Sequence, residues 1–259
     1  MKAFAQAAED LGLTQLRVPE QIIRPVSGAL HEPLTMMTLL AGATKKIELV
    51  PSALIIPTRQ AVPVAKQTAS LDRLPGGRLR LGIGVGGDPA EFEAMGADLS
   101  NRGARCEEQM ALLKRLWTEE TFDFEGRWHK IFGAGINPLP TQKPIPMWIG
   151  PSSVPAKRIR HRISALADGW FVLASPKDYP EIRDDIHRAA PDAGRDPTKI
   201  GAEAGVALVG PREHEWQRRV AGWSEMGLTH LCLRTLGGGL APGEHIDCMR
   251  AALTELPGI

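Results

Sequence analysis

A glycine-rich segment after a short apolar strand is the most distinctive candidate site in the sequence. Residues 82–87 read Gly-Ile-Gly-Val-Gly-Gly and satisfy the spacing G-x-G-x-x-G. In a dinucleotide-binding fold such glycines bring backbone N–H groups close to a pyrophosphate, and Glu107 lies where an acidic ribose ligand would be sought. The segment is also compatible with a structural turn, or with a glycine-lined wall at the end of a barrel strand. We favour the wall, against which a flat aromatic ring can stack, because Glu107 falls inside a helical pattern.

A second candidate segment, Gly150-Pro151-Ser152-Ser153, follows an apolar strand and precedes a helical pattern that begins near Val154. A strand, a loop of small residues and a helix N-terminus together form a phosphate site, because free N–H groups and hydroxyls converge there. The alternative is that Ser152 or Ser153 simply caps the helix.

Two polar residues, Glu20 and Gln21, follow a short strand and Pro19. In a barrel they would face the mouth, where a carboxyl group could transfer protons; an exposed loop pair is the alternative. The histidines are scattered without metal-ligand spacing, so we expect no metal site. Cys106 lies in the middle of a helical pattern, where a buried small apolar residue is expected.

These candidates are separated by strands and helices that alternate along nearly the whole chain. The predicted strands are 13–18, 47–50, 79–83, 146–149, 169–173, 201–209 and 229–233, and the predicted helices are 4–11, 34–43, 64–74, 106–117, 154–167, 179–190, 212–226 and 244–256. Residues 121–144 break the alternation and are typical of a small hairpin insertion. The pattern predicts an α/β fold with a parallel sheet, either closed as a barrel or open and doubly wound. We favour a TIM-type (β/α)8 barrel that lacks one strand, as a single domain spanning residues 1–259.

Composition excludes several classes of protein. The chain has 259 residues, 43% of them hydrophobic and 24% charged, with a net charge of +1, so no basic stripe for nucleic acid is expected. It has no apolar run long enough to cross a membrane, and its start does not have the pattern of a signal peptide. Three cysteines without metal-type spacing favour a reducing compartment, and we expect a cytoplasmic protein that acts on a small molecule.

An ordered set of short motifs resembles the luciferase-like monooxygenase superfamily of flavin- and deazaflavin-dependent enzymes. The motifs are 8–13, 17–21, 33–35, 44–49, 63–67, 71–79, 81–86, 91–96, 112–117, 124–126, 144–150 and 168–170. Each is weak alone, but their order covers nearly the whole chain. Within the superfamily, the sequence most resembles the coenzyme F420 branch, partly because of Leu233-Arg234-Thr235 and the three glycines that follow shortly after it.

The resemblance implies a barrel that binds coenzyme F420 or, alternatively, FMN at the carboxyl ends of its strands. It implies that Gly84, Gly86 and Gly87 line the cofactor, that Gly150, Pro151, Ser152 and Ser153 hold its phosphate end, and that Ala53-Leu54 carries a non-prolyl cis peptide supporting the ring. It also implies a homodimer formed through the outer helices 34–43 and 64–74.

The sequence departs from the family pattern at two places. The family's first strand is not found before the first helix, so we expect either that Met1 is an internal Met or that the barrel is open, with strand edges uncovered near Leu16 and Leu231. Relatives often carry an acidic residue followed by His where this chain has Glu20 and Gln21, so an acid–base role falls on Glu20. Three functions follow as alternatives: an F420-dependent oxidoreductase or FMN-dependent monooxygenase, a non-catalytic flavin-binding or cofactor-free dimer, and a nicotinamide dehydrogenase built on 82–87.

Overall fold

A computed structural model describes residues 1–23 and 30–256 of the chain. The strands are β1 (Gln15–Val18), β2 (Glu48–Pro51), β3 (Leu54–Ile55), β4 (Leu81–Gly84), β5 (Phe122–Glu125), β6 (Lys130–Ala134), β7 (Met147–Ile149), β8 (Gly169–Val172), β9 (Gly201–Ala207) and β10 (His230–Arg234). The helices are α1 (Lys2–Asp10), α2 (Pro33–Ala41), α3 (Ala61–Arg73), α4 (Pro89–Ala94), α5 (Arg102–Thr118), α6 (Lys157–Leu166), α7 (Tyr179–Ala189), α8 (Trp216–Ser224) and α9 (Glu244–Thr254). The predicted α/β alternation is therefore confirmed.

The parallel strands form an arc of TIM-barrel type. One sheet has the strand order β1–β2, and the other has the order β10–β9–β8–β7–β4–β3. The two sheets are joined by an isolated parallel β-bridge between Leu49 in β2 and Leu79, which lies just before β4. Because β2 and β3 are consecutive pieces of one strand, the arc contains the seven predicted strand paths. Within the described part of the chain, the ladder is interrupted between β1 and β10. On the outside of this interruption, α1 and α9 approach each other, and the rings of Phe4 and His245 are 6.3 Å apart.

The main apolar core lies between the strands and the outer helices. Leu49, Leu81, Met110 and Trp117 belong to it and are fully buried. A second, smaller cluster of Val50, Trp148 and Phe171 fills the inside of the arc. Its large rings fit there because the facing strands carry glycine: a Cβ at Gly169 or Gly201 would overlap the Trp148 ring.

The predicted insertion is an antiparallel hairpin of β5 and β6. It lies outside the barrel ladder and is held against α5 by the Glu108 carboxylate, which accepts hydrogen bonds from the backbone N–H groups of Arg127, Trp128 and His129. None of the helices in residues 1–23 and 30–256 is long and apolar enough to span a membrane.

Candidate functional site

The carboxyl ends of the parallel strands meet at one mouth, which collects most of the segments singled out in the sequence. Glu20 and Gln21 follow β1, Ala53 follows β2, Gly86 and Gly87 follow β4, and the loop 150–153 follows β7. In barrels of this type the mouth is where ligands bind, because loops from several strands converge there. Part of the loop between β1 and α2, residues 24–29, lies outside the described residues.

A flat surface of small residues, here called the glycine ledge, is formed by Ala53, Gly84 and Gly150. A Cβ added at Gly150 would lie 2.8 Å from the Cβ of Ala53, and one added at Gly84 would lie 3.4 Å from it. Both glycines therefore let Ala53 pack between two neighbouring strands. Beneath the ledge lies the Phe171 ring, 3.5 Å from the same added Cβ at Gly150.

The backbone at the ledge contains the expected non-prolyl cis peptide, but at a different bond. The cis bond joins Ser52 to Ala53, one bond before the predicted Ala53–Leu54. Leu54 itself is fully buried in the main core and pairs with Ile83, so the structure places Ala53, and not Leu54, at the mouth.

The two glycines after β4 differ in what surrounds them. Gly86 has a φ of +68°, and a Cβ there would lie 2.7 Å from Ile55 and 2.9 Å from Phe92, so the fold itself requires glycine. Gly87 is exposed, and a Cβ there would meet nothing within 4 Å. Gly87 thus has the free space that a ligand needs.

The dinucleotide interpretation of this segment is wrong. The helix after the glycines, α4, has only 6 residues, and Asp88 caps it by accepting from Ala90 N. Glu107 lies within α5, where its carboxylate accepts hydrogen bonds from Arg162 at 2.8 and 2.9 Å. It is therefore not at the tip of a second strand, where a ribose ligand would have to be.

The loop 150–153 is longer than predicted, because α6 begins at Lys157 and not at Val154. Its N-cap is Ala156 and has no side-chain cap, so the alternative in which Ser152 or Ser153 caps the helix is wrong. Pro151 is buried, whereas both serines are exposed beside the first turn of α6. Two hydroxyls and the helix N-terminus thus remain available to an anion.

Glu20 lies buried under the loop after β1, with its side chain 1% exposed. Its Oε2 accepts from Ile55 N at 2.5 Å, and its Oε1 accepts from the Arg59 guanidinium. Burial raises the pKa of the Glu20 carboxyl, although Arg59 opposes this by favouring the ionised form. Glu20 thereby links the loop to the strand piece that follows the ledge, while Gln21 is partly exposed.

Below the ledge lies a polar assembly that our sequence analysis did not predict. Arg17 donates from Nη1 to Glu203 Oε1 at 2.6 Å and from Nη2 to Ser52 Oγ at 2.7 Å. Its guanidinium also lies 4.3 Å from the centroid of the Phe171 ring. A signal was present: Glu203 is an acidic residue within the otherwise uncharged strand 201–207, which is unusual for a buried strand.

The described residues contain no group of three or more His, Cys, Asp or Glu side chains arranged to hold a metal ion. Cys106 is fully buried, as predicted, and burial raises the pKa of its thiol to about 12. The mouth therefore offers a flat apolar ledge, an open glycine, a hydroxyl-bearing loop and a buried carboxyl group.

Comparison with known proteins agrees with this arrangement. The chain is 32% identical over 211 residues to the uncharacterized protein Rv0940c of Mycobacterium tuberculosis, covering 74% of this chain and 72% of that protein. It is 31% identical over 180 residues to the FMNH(2)-dependent dimethylsulfone monooxygenase of Pseudomonas putida, covering 68% of this chain and 48% of that protein.

Among solved structures, an F420-dependent secondary alcohol dehydrogenase in complex with an F420-acetone adduct has the same fold. The TM-score is 0.78 at 17% identity, covering 90% of this chain and 87% of that one. The profile of the luciferase-like monooxygenases matches residues 1–241. The chain therefore belongs to the luciferase-like monooxygenase family.

Proposed function

We propose that this protein is an oxidoreductase that transfers a hydride between coenzyme F420 and a small organic substrate. The observation that carries the proposal is the glycine ledge, a flat surface at the barrel mouth with the open Gly87 nearby. The fold is shared with an F420-dependent secondary alcohol dehydrogenase, whose name states that cofactor.

The residues at the mouth fit a flat ring system. A Cβ at position 150 would overlap the methyl group of Ala53, and one at position 84 would touch it, so glycine at both positions lets Ala53 lie there. The Ala53 methyl group and the neighbouring backbone are the contact surface that we propose for the ring. Such a surface favours stacking of an aromatic ring, since it presents few polar groups to desolvate. The exposed Ser152 and Ser153, with the first N–H groups of α6, fit the phosphate end of the same cofactor.

When bound, the cofactor supplies the hydride chemistry, and the protein contributes orientation and electrostatics. Ala53, Gly84 and Gly150 would support one face of the ring, so that substrate approaches the other. Ser152 and Ser153 would hold the anionic end. Glu20, whose pKa is raised by burial, is our candidate for holding a proton at a carboxyl oxygen, and Gln21 for orienting substrate beside it.

An FMN-dependent monooxygenase is the second candidate function. It is favoured by the relationship to the dimethylsulfone monooxygenase, whose name states that it depends on FMNH(2). The ledge does not distinguish between the two cofactors, because both present a flat tricyclic ring. A third alternative, a cofactor-free dimeric barrel, is motivated by the interruption of the ladder between β1 and β10.

A parallel fluorescence titration with coenzyme F420, FMN and NADPH separates these candidates. We expect saturable F420 binding with a Kd of about micromolar or tighter, and weak FMN binding. Tight FMN binding instead would favour the monooxygenase. If none of the three cofactors binds, an enzymatic function for the chain is contradicted. If only NADPH binds tightly, the result favours the nicotinamide dehydrogenase over both flavin candidates.

We further propose a homodimer formed through α2 and α3. A groove of about 490 Å³ lies between these helices, lined by residues that include Leu34, Leu71 and Leu74. Leu74 is 83% exposed, and Leu39 and Val62 are also exposed on the same helices. Exposed apolar side chains on or next to two neighbouring helices, with a groove between the helices, support a contact with a second copy. A cytoplasmic location is also part of the proposal, and it is argued from three cysteines without metal-type spacing in the sequence.

A further inference from the structure

The buried assembly below the ledge connects two distant parts of the barrel. Glu203 in β9 is 0% exposed and accepts from two arginines, Arg17 at 2.6 Å and Arg80 at 3.1 Å. Arg80 is fixed in turn, because it pairs with Glu48 at 2.8 Å and lies 4.2 Å from the centroid of the Trp148 ring. Glu203 is thus held in place on several sides.

Arg17 connects the fixed Glu203 side chain to Ser52, the residue that precedes Ala53 of the ledge. One of its terminal nitrogens is bound to Glu203 and the other to Ser52 Oγ, and its plane lies on the Phe171 ring. A planar guanidinium that is bound at both ends and stacked has little freedom to move. Ser52 is bonded directly to Ala53, so any displacement of Ser52 moves the ledge.

The packing around Ser52 leaves no slack for such a displacement. A Cβ added at Gly82 would lie 3.0 Å from the Cα of Ser52 and 2.9 Å from the Phe171 ring, which means that three segments meet here in close contact. Close packing transmits a shift of one member to the others.

We propose that Arg17 is a positioning residue: through its hydrogen bond to Ser52, it holds Ala53 in the position in which its methyl group contacts the cofactor ring. The inference rests on the proposed function, since it assigns a role in cofactor binding. If the Arg17–Glu203 ion pair only stabilised the fold, the contact with Ser52 would not affect cofactor binding. The proposed role instead requires that loss of the Arg17–Ser52 hydrogen bond weakens cofactor binding.

A double-mutant cycle in the full-length protein tests this role. Arg17→Lys keeps a positive charge near Glu203 but loses the planar guanidinium that can bind two partners and lie against the Phe171 ring. Ser52→Ala removes only the hydroxyl that accepts a hydrogen bond from Arg17. The measured quantities are the Kd values for coenzyme F420 and FMN, by fluorescence titration, and the midpoint of urea unfolding. Arg115→Lys is the matched control, since Arg115 forms an exposed pair with Glu119 on α5.

We expect each single variant to raise the Kd of the cofactor that binds roughly tenfold, the size of a lost charge-assisted hydrogen bond. The double variant should be no weaker than the weaker single variant, because both changes break the same contact. Ser52→Ala should lower the urea midpoint no more than Arg17→Lys does, since it removes one hydrogen bond and leaves the ion pair with Glu203 in place, and Arg115→Lys should leave both quantities unchanged.

Three results would overturn the inference, and the third is distinguishable from the first two. If the wild type binds cofactor and neither Arg17→Lys nor Ser52→Ala changes its Kd, Arg17 serves stability alone. The same conclusion holds if the two effects are fully additive. If the wild type binds neither F420 nor FMN, the proposed function fails and the inference fails with it.

Discussion

Glu108 Oε1 lies 2.8 Å from Nδ1 of His129, so that a helix of the barrel wall is joined to the hairpin insertion by one carboxylate. The same carboxylate also accepts backbone N–H groups of the hairpin, at 2.7 Å from Arg127 and 2.9 Å from Trp128. A Cβ at Gly126 would lie 2.5 Å from this carboxyl group, so glycine is required for its approach. Glu108 is therefore a main attachment of the hairpin, beside Arg115, which donates to the backbone oxygen of Asp123, and a change at Glu108 tests it.

We expect Glu108→Gln to lower the free energy of unfolding by about 1–3 kcal/mol, because charge-assisted hydrogen bonds to several donors are weakened together. Burial acts to raise the pKa of Glu108, but the hydrogen bonds from His129, Trp128 and Arg127 outweigh it and hold the pKa below its ordinary value. A carboxyl group with a lowered pKa stabilises the fold fully above its unfolded pKa, about 4.3, and loses this contribution as pH falls through the folded pKa. Urea unfolding from pH 3 to 7 should therefore show a smaller acid-dependent loss in the variant; an identical slope would contradict the assignment.

Two glycine-to-alanine variants at the barrel mouth should differ in their effect on stability. Gly150→Ala places a Cβ 2.8 Å from that of Ala53 and should cost about 1–3 kcal/mol of stability and weaken cofactor binding. Gly87→Ala meets nothing within 4 Å in the protein and should leave the unfolding midpoint unchanged. If the cofactor passes Gly87, this second variant should still raise the Kd. Equal Kd values for Gly87→Ala and wild type would place the cofactor elsewhere at the mouth.

Glu20→Gln separates the two roles that the structure allows for this carboxyl group. The variant keeps the shape and the acceptor for Ile55 N but cannot exchange a proton. If Glu20 transfers protons, turnover should be lost while the cofactor Kd stays at the wild-type value. Wild-type turnover in the variant would leave Glu20 only the task of holding Ile55 and Arg59.

The fold was predictable from the sequence because its signals are local. Each strand is a short apolar run next to an amphipathic helix, and the paths of all the predicted strands agree with the structure. For the ledge, the sequence predicts only that glycines lie near the ends of strands. It does not predict that Ala53 contacts Gly150, because these residues are far apart in the sequence. Arg17 and Glu203 were missed for the same reason: alternation places both side chains inside the arc, but nothing local pairs them.

Helix and cap boundaries were also predicted less well than the elements themselves. The start of α6 was placed at Val154, because the apolar pattern begins there, whereas the helix starts at Lys157 after Pro155. Proline is compatible with an extended approach to a helix, and the three extra loop residues enlarge the region around Ser152 and Ser153. The error therefore lies at the part of the mouth where an anion would bind.

The proposed dimer predicts that one substitution at Leu74, the residue that directly follows α3, should produce monomers. Leu74→Glu introduces a charge at a side chain that is 83% exposed in the isolated chain, so the monomer itself should remain folded. We expect wild type to sediment as a dimer of the 28.1 kDa chain and the variant as a monomer. Phe132→Glu, at an exposed position on the hairpin, is the control and should remain dimeric. A monomeric wild type would contradict the proposal.

The ionic assembly inside the arc predicts a large stability difference between two Glu→Gln variants. Glu203 is 0% exposed and neutralises Arg17 and Arg80, so Glu203→Gln leaves two guanidinium groups together without their shared anion. Arg80 keeps its pair with Glu48, but Arg17 is left without a carboxylate partner, and breaking a buried pair in this way costs about 3–5 kcal/mol. Glu119→Gln removes the partner of Arg115 at a pair where both side chains are more than a third exposed, so only a small effect is expected. Urea unfolding of the two variants under identical conditions measures the difference. A midpoint for Glu203→Gln equal to that of Glu119→Gln would mean that water enters the arc, through the interruption between β1 and β10, and solvates both arginines.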